Sequence, residues 1–174
     1  MGRVGYRFKQ FWQGVTAPPL TAVAQADIAA RLTPAEQALF QRYSRSDQWH
    51  TYRVMKTLQA SGQYQPPLLK AALLHDVGKS CVDLSAWERS WIVLVEIVWP
   101  RKAAAWGEYE PAGWRRPFVV KAQHPAWGAE MAAAAGSSPL VVELIRRHQD
   151  KGAKMAVTVA DHLLHWLQWA DDQN

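Results

Sequence analysis

Apolar residues recur along this chain at spacings of three and four, the period of helices that bury one face. No alternating strand pattern persists, and no repeat or low-complexity linker divides the chain. A short helix is expected from about Thr21 to Arg31, after Ala17-Pro18-Pro19 ends the preceding segment. Thr33-Pro34-Ala35-Glu36 is a start signal: Thr33 as N-cap, proline at the first helical position and Glu36 at the third. That helix is expected to carry Leu39 and Phe40 inward. Ser46 or Asp47 opens the next, with Val54, Met55 and Leu58 apolar and Gly62 closing it. Pro66-Pro67 begins an apolar helix through Leu73-Leu74 that Gly78 is expected to end. Ser85 caps a helix rich in Trp and Val that Pro100 terminates, and its stretch from Trp91 to Trp99 reads as buried. Residues 101–117 mix charge, Pro and Gly with little periodicity and read as a loop or mobile lid. Three further helices are expected, from Pro117 to about Gln123, Pro125 to Ala135 and Pro139 to His148. A last one runs from about Ala153 to Ala170. The expectation is one all-α domain of about eight helices.

Composition narrows the class. A chain of 174 residues, 49% hydrophobic and 20% charged, buries a core of its own and is too apolar to be disordered. The single cysteine, Cys81, excludes an internal disulfide framework and reads as a small packing residue. The longest apolar stretch is broken by Glu96, far short of the roughly 20 residues a membrane span needs. Ten tryptophans are more than packing requires.

The formal net charge is +5, but Arg3, Arg7 and Lys9 put +3 of it in the first 20 residues, which hold no acid. Residues 1–20 are therefore expected to form a basic, aromatic arm docked by Phe8, Phe11 and Trp12, ahead of a domain over 21–174. No apolar run follows the N-terminal charges, as a signal peptide would require, so a cytoplasmic location is expected. The basic residues form no run, so the signal for nucleic acid is weak.

Candidate chemistry lies in the histidines. Leu73-Leu74-His75-Asp76-Val77-Gly78-Lys79 delivers an imidazole and a carboxylate side by side at the end of an apolar helix. Adjacent helical residues point about 100° apart. Both therefore serve one centre only at the helix end, or if two metals share the carboxylate. Lys79 is placed to hold a phosphate oxygen. Upstream, Asp47-x-x-His50-x-x-Arg53 puts three polar residues on one helical face, a ligand histidine with a carboxylate and a guanidinium behind it or a solvated ion pair. Downstream, His124 precedes Pro125 and is expected at a helix entry, with Gly128 permitting close backbone approach. His148 follows Arg146-Arg147, and Asp171 stands near the end of the last helix.

The order His, His-Asp, His, His, Asp resembles the HD domain superfamily of metal-dependent phosphohydrolases, over about residues 33–174. The resemblance implies an all-helical fold with a metal centre between helices. It implies His50, His75, Asp76 and Asp171 as shared metal ligands, and His124 and His148 as the extra pair of two-metal members, with Asp76 bridging. The Gly-Tyr-Pro signature of the cyclic-di-GMP phosphodiesterase branch is absent after His148, where Gln149-Asp150-Lys151-Gly152 follows. Asp171 is preferred to Asp161 because its Asp-Asp-x-Asn surroundings resemble the family ending. Asp161, His162 and His165 then read as ordinary helix-face groups.

One or two divalent transition metals are expected. Nitrogen and oxygen ligands favour iron or manganese, with cobalt, nickel and zinc also suited. The implied reaction is hydrolysis of a phosphoester or phosphoanhydride bond in a nucleotide-like substrate by a metal-activated water. Asp76 holds the nucleophile, and Lys79 with Arg146 or Arg147 neutralises the phosphoryl group. Trp106, Tyr109 and Trp114 either stack a base or pin a surface loop. The alternatives are a di-iron oxygenase of the same superfamily, or a non-catalytic metal-stabilised sensor or interaction module. The helix from Trp87 to Trp99 is then a partner surface, for instance of a homodimer.

Overall fold

The computed structural model describes residues 17–150 and 157–174, without the side chains of residues 86, 89, 90, 93 and 96. Most of the basic arm expected over 1–20, and the expected start of the last helix at Ala153, lie outside the described residues. Among the described residues there is no strand. The helices are α1 (Ala22–Ala29), α2 (Pro34–Phe40), α3 (Arg45–Ala60), α4 (Pro66–Leu74), α5 (Ala86–Val98), α6 (Pro100–Trp106), α7 (Arg116–Ala134), α8 (Pro139–Arg147) and α9 (Val159–Asp172). Short 3-10 turns cover Val77–Cys81 and Gly113–Arg115.

Local chemistry explains most starts and stops. Thr33 accepts from the Glu36 amide while the Glu36 carboxylate accepts from the Thr33 amide, so two orphan donors of α2 are satisfied reciprocally. Ser85 and Glu88 do the same for α5. For α3 the cap is Ser44, two or three residues earlier than the Ser46 or Asp47 that the sequence suggests. Gly62 follows α3 with φ 79°, a backbone conformation that costs a side chain-bearing residue energy.

Glu36 also joins distant parts of the chain. It is fully buried, and its carboxylate receives Lys70 Nζ of α4 at 2.8 Å and Ser137 Oγ, beyond α7, at 2.7 Å. Burial alone would raise its pKa. The Lys70 ammonium and the Thr33 and Ser137 donors outweigh that and hold it below the ordinary value.

The core lies where α3, α4, α8 and α9 converge. Met55 and Leu58, Leu68, Leu73 and Leu74, Leu144 and Ile145, and Leu164 and Leu167 are all fully buried there. Long α7 packs along α8 and against the 77–81 turn, closing the other side. Phe40 joins this core, but Leu39 is only half-buried against it.

Four expectations need correction. Pro100 ends α5 and also begins α6, so residues 101–117 are part helix rather than loop throughout. Proline serves as well at a first helical position, where its missing N–H has no intrahelical partner anyway. The Trp106 ring lies edge-on to Trp114 at 4.7 Å and to Phe118 at 5.1 Å, and Arg115 stacks on Tyr109 and Trp114. These aromatics therefore pin one another.

Next, α5 is not buried all round. Ile92 and Val95 face inward, while Trp87, Leu94, Ile97, Val98 and Trp99 are each more than half exposed. None of the nine described tryptophans is fully buried. Cys81 is exposed, with Sγ 3.5 Å from Met131 Sδ, and is no packing residue. Finally, residues 116–134 form one helix, not two, with Pro125 inside it. Among the described residues no helix is long and apolar enough to cross a membrane.

Candidate metal centre

The apolar run of α4 ends at Leu74, not at Gly78. His75 caps it, and the chain tightens into the 77–81 turn, so His75 and Asp76 leave the helix end together. Gly78 has a different task. A Cβ there would overlap the His124 carbonyl oxygen, far inside contact distance, and lie 2.7 Å from the Gly128 amide nitrogen. The bare backbone of the turn thus lies directly on α7, and that approach brings His124 to Asp76.

His124 sits mid-helix, and Pro125 explains how its ring is held. Pro125 has no N–H, so the Lys121 carbonyl four residues before it loses its helical donor. His124 Nδ1 lies 3.0 Å from that carbonyl and 3.0 Å from the Val120 carbonyl. Carbonyls only accept, so Nδ1 carries the proton and Nε2 presents a lone pair. His75 donates likewise to the Ala72 carbonyl at 2.9 Å, and His148 to that of Ile145 at 2.7 Å. Three imidazoles are therefore fixed by backbone carbonyls in one tautomer, each with Nε2 turned to the same centre.

Six residues gather there in two groups, His50, His75 and Asp171 in one, Asp76, His124 and His148 in the other. Within each group the candidate ligand atoms lie within 4.8 Å of one another. His50 Nε2 is 2.9 Å from Asp171 Oδ1, and His75 Nε2 is 3.5 Å from the same oxygen. Asp76 stands between the groups. Its Oδ2 faces His75 Nε2 at 3.5 Å and His50 Nε2 at 3.8 Å. Its Oδ1 faces His124 Nε2 at 3.2 Å and His148 Nε2 at 3.6 Å.

This donor set fits divalent cations. His75 Nε2 is buried with no hydrogen-bond partner. The Nε2 atoms of His124 and His148 lie 3.2 Å apart with no proton available to either in the neutral rings, so two lone pairs oppose each other. A cation resolves both arrangements, and the ligand chemistry of nitrogen and carboxylate oxygen suits a transition metal.

The electrostatics agree. Burial would raise the Asp76 pKa, but Lys79 and His75 hold it well below the ordinary range, so it stays ionised. Burial likewise opposes ionisation of Asp171, and His50 and His75 overcome it. Burial dominates at His124 and lowers its pKa, which keeps it neutral as a ligand must be. At His75 burial pushes down, yet the two aspartates raise the value to about 8, so a cation bound at its Nε2 would displace a proton.

A cavity of about 550 Å³ opens beside these groups, lined by Ser46, Asp47, Trp49, His50, Arg53, Asp76, Lys79 and Asn174 with Ala17 and Pro18 at its edge. Trp49 Nε1 donates to the Pro18 carbonyl at 2.8 Å and fixes that edge. Lys79 Nζ bonds Asp76 Oδ2 at 2.5 Å. Asp47 accepts from Ser44 Oγ at 2.6 Å and reaches the cavity, as does Arg53.

Arg147, expected to meet substrate, is bound instead to Glu143 and Asp161, each at 2.7 Å. Arg146 is exposed, and neither arginine lines the cavity. Asp161 completes the capping box of α9, and its bond to Arg147 lowers its pKa to about 2. His162 accepts from Trp166 and lies outside both groups. Trp49, Ser46 and Asn174 escaped sequence reasoning because nothing in their spacing marks a cavity wall. Gln149, whose amide is 3.5 Å from His124 Nε2, escaped it too.

Pro125→Ala tests the account of His124. The new amide takes back the Lys121 carbonyl and releases the ring. The expected outcome is a melting temperature that rises, since proline costs an interior helix about 3 kcal/mol. Affinity for a cation at the Asp76, His124 and His148 group is expected to fall roughly 10–100-fold, the usual effect of losing an outer partner. Thermal melts with metal titration check both, and an unchanged metal affinity contradicts this role for Pro125.

A family model, that of the HD domain, matches residues 49–172. No curated protein and no solved structure matches the chain. HD domains bind divalent metals and are generally metal-dependent hydrolases. Because the family match covers most of the chain and takes in all six residues of the two groups, the chain belongs to the HD domain family.

Proposed function

We propose that this protein is a metal-dependent phosphohydrolase that cleaves phosphoester or phosphoanhydride bonds of small phosphorylated substrates, nucleotides among them. The observation that carries this reading is Asp76, which turns one oxygen to each of two histidine groups beside an open cavity. His50, His75 and Asp171 would hold one cation and His124 and His148 another, with Asp76 shared; iron and manganese suit these ligands best. Bound there, divalent cations supply Lewis acidity and lower the pKa of water toward neutrality.

The chain's own groups do the rest. Asp76, ionised by its surroundings, contributes negative charge and cannot donate a proton to a leaving group. Lys79, at the cavity wall, brings a fixed positive charge to a phosphoryl oxygen. Burial lowers its pKa, but Asp76 raises it more, so it remains an ammonium. The three histidine rings, locked through Nδ1, need no reorientation when the site is filled, which is the preorganisation such centres require.

The test is phosphate release from a panel of nucleotides and other phosphate esters, alongside oxygen consumption by an iron-loaded sample. Phosphate release that depends on added metal supports the hydrolase. Oxygen uptake without phosphate release moves the protein to oxygenase chemistry.

A further inference from the structure

The helix that carries His50 presents a second group to the same cavity. On α3 the core face is Thr51, Val54, Met55 and Leu58. At about 100° per residue, Ser46, His50 and Arg53 fall together on the adjoining flank, within about 60° of one another. All three line the cavity next to Asp76 and Lys79. Arg53 lies one turn beyond His50, so the two side chains start about 5–6 Å apart.

The cations around the site differ in what already holds them. Lys79 is bonded to Asp76. Arg147 is bonded to Glu143 and Asp161 and lines no part of the cavity. Arg53 is exposed, and among the described residues its guanidinium has neither an ion pair nor a hydrogen bond. A guanidinium is always charged and offers donors in a fork that matches the oxygens of a phosphate. An uncommitted one on a cavity wall, a turn from a candidate metal ligand, is poised for an anion. The cavity volume of about 550 Å³ is that of a small-molecule site.

We infer that Arg53 holds the anionic group of the ligand in this cavity, the role that the sequence suggests for Arg146 or Arg147. The identity of the anion rests on the phosphohydrolase reading; the assignment of Arg53 rests on the cavity.

Calorimetric titration of the metal-loaded protein with inorganic phosphate separates the two. The expected result is at least tenfold weaker binding by Arg53→Gln, partial recovery in Arg53→Lys, no change in Arg146→Gln, and equal metal content in all four proteins. Binding by Arg53→Gln within twofold of the parent protein overturns the inference. So does a loss of metal in that variant, which makes Arg53 a positioning residue for the metal site, and so does a parent protein that binds no phosphate. If phosphate binding depends on Arg53 but no ester is hydrolysed, the inference stands and the phosphohydrolase reading falls.

Discussion

Asp76→Ala is expected to empty the centre of metal and abolish phosphate release. The carboxylate is nearly fully buried and lies within 3.8 Å of all four candidate histidine ligands. No other described carboxylate bridges the two groups, since Asp171 reaches only His50 and His75. Removing Asp76 also takes away the carboxylate bonded to the Lys79 ammonium, leaving only Asp47 and Asp171 to offset it, so less negative charge remains to attract an incoming cation. Turnover should fall by roughly 10³-fold or more, the scale seen when groups that act as a unit lose one member. Asp76→Asn keeps the shape but not the charge and should fail almost as badly. Elemental analysis beside the rate, with circular dichroism to confirm helix content, checks this. An alanine variant that retains two metals per chain contradicts the bridging role.

Gly78→Ala is expected to do the largest damage to stability. The added Cβ meets the backbone of His124 and Gly128, and backbone cannot rotate away as a flexible side chain can. Relief requires α7 to lift from the 77–81 turn, which parts His124 from Asp76. A cost of about 3 kcal/mol is the upper end for overpacking by so small a group. Gly136→Ala is the contrasting case. Its φ is 81° and nothing lies within 4 Å of the position, so it should cost only the left-handed backbone, roughly 1–2 kcal/mol, and spare the site. Urea denaturation of both variants with metal content measured in parallel distinguishes packing from conformation. Equal losses in the two would contradict the close-approach argument.

What could be read ahead of the structure was what neighbours in sequence decide. Thr33 with Glu36 announces a helix start because the whole capping box lies within four residues, and Ser85 alone marks another. The all-helical class follows from the apolar period for the same reason. Proline was harder, because one residue type begins, ends or interrupts a helix according to context. Pro125 interrupts nothing, since the side chain beside it supplies the bond its own nitrogen lacks. Partners remote in sequence were hardest. Arg147 is claimed by Asp161 of the last helix, which spacing alone does not reveal. Gly78 looked like a helix stop, and only the crossing of α7 exposes its steric role. The apolar stripe of α5 looked like core because hydrophobicity does not tell which face a neighbour covers.

The most direct test is phosphate release from one purified sample, measured as prepared, after chelation, and after manganese or iron is restored. Turnover is expected to disappear on chelation and to return when about two metal ions per chain have bound. Release that is indifferent to chelation, or no release from the fully loaded protein, would contradict metal-dependent hydrolysis.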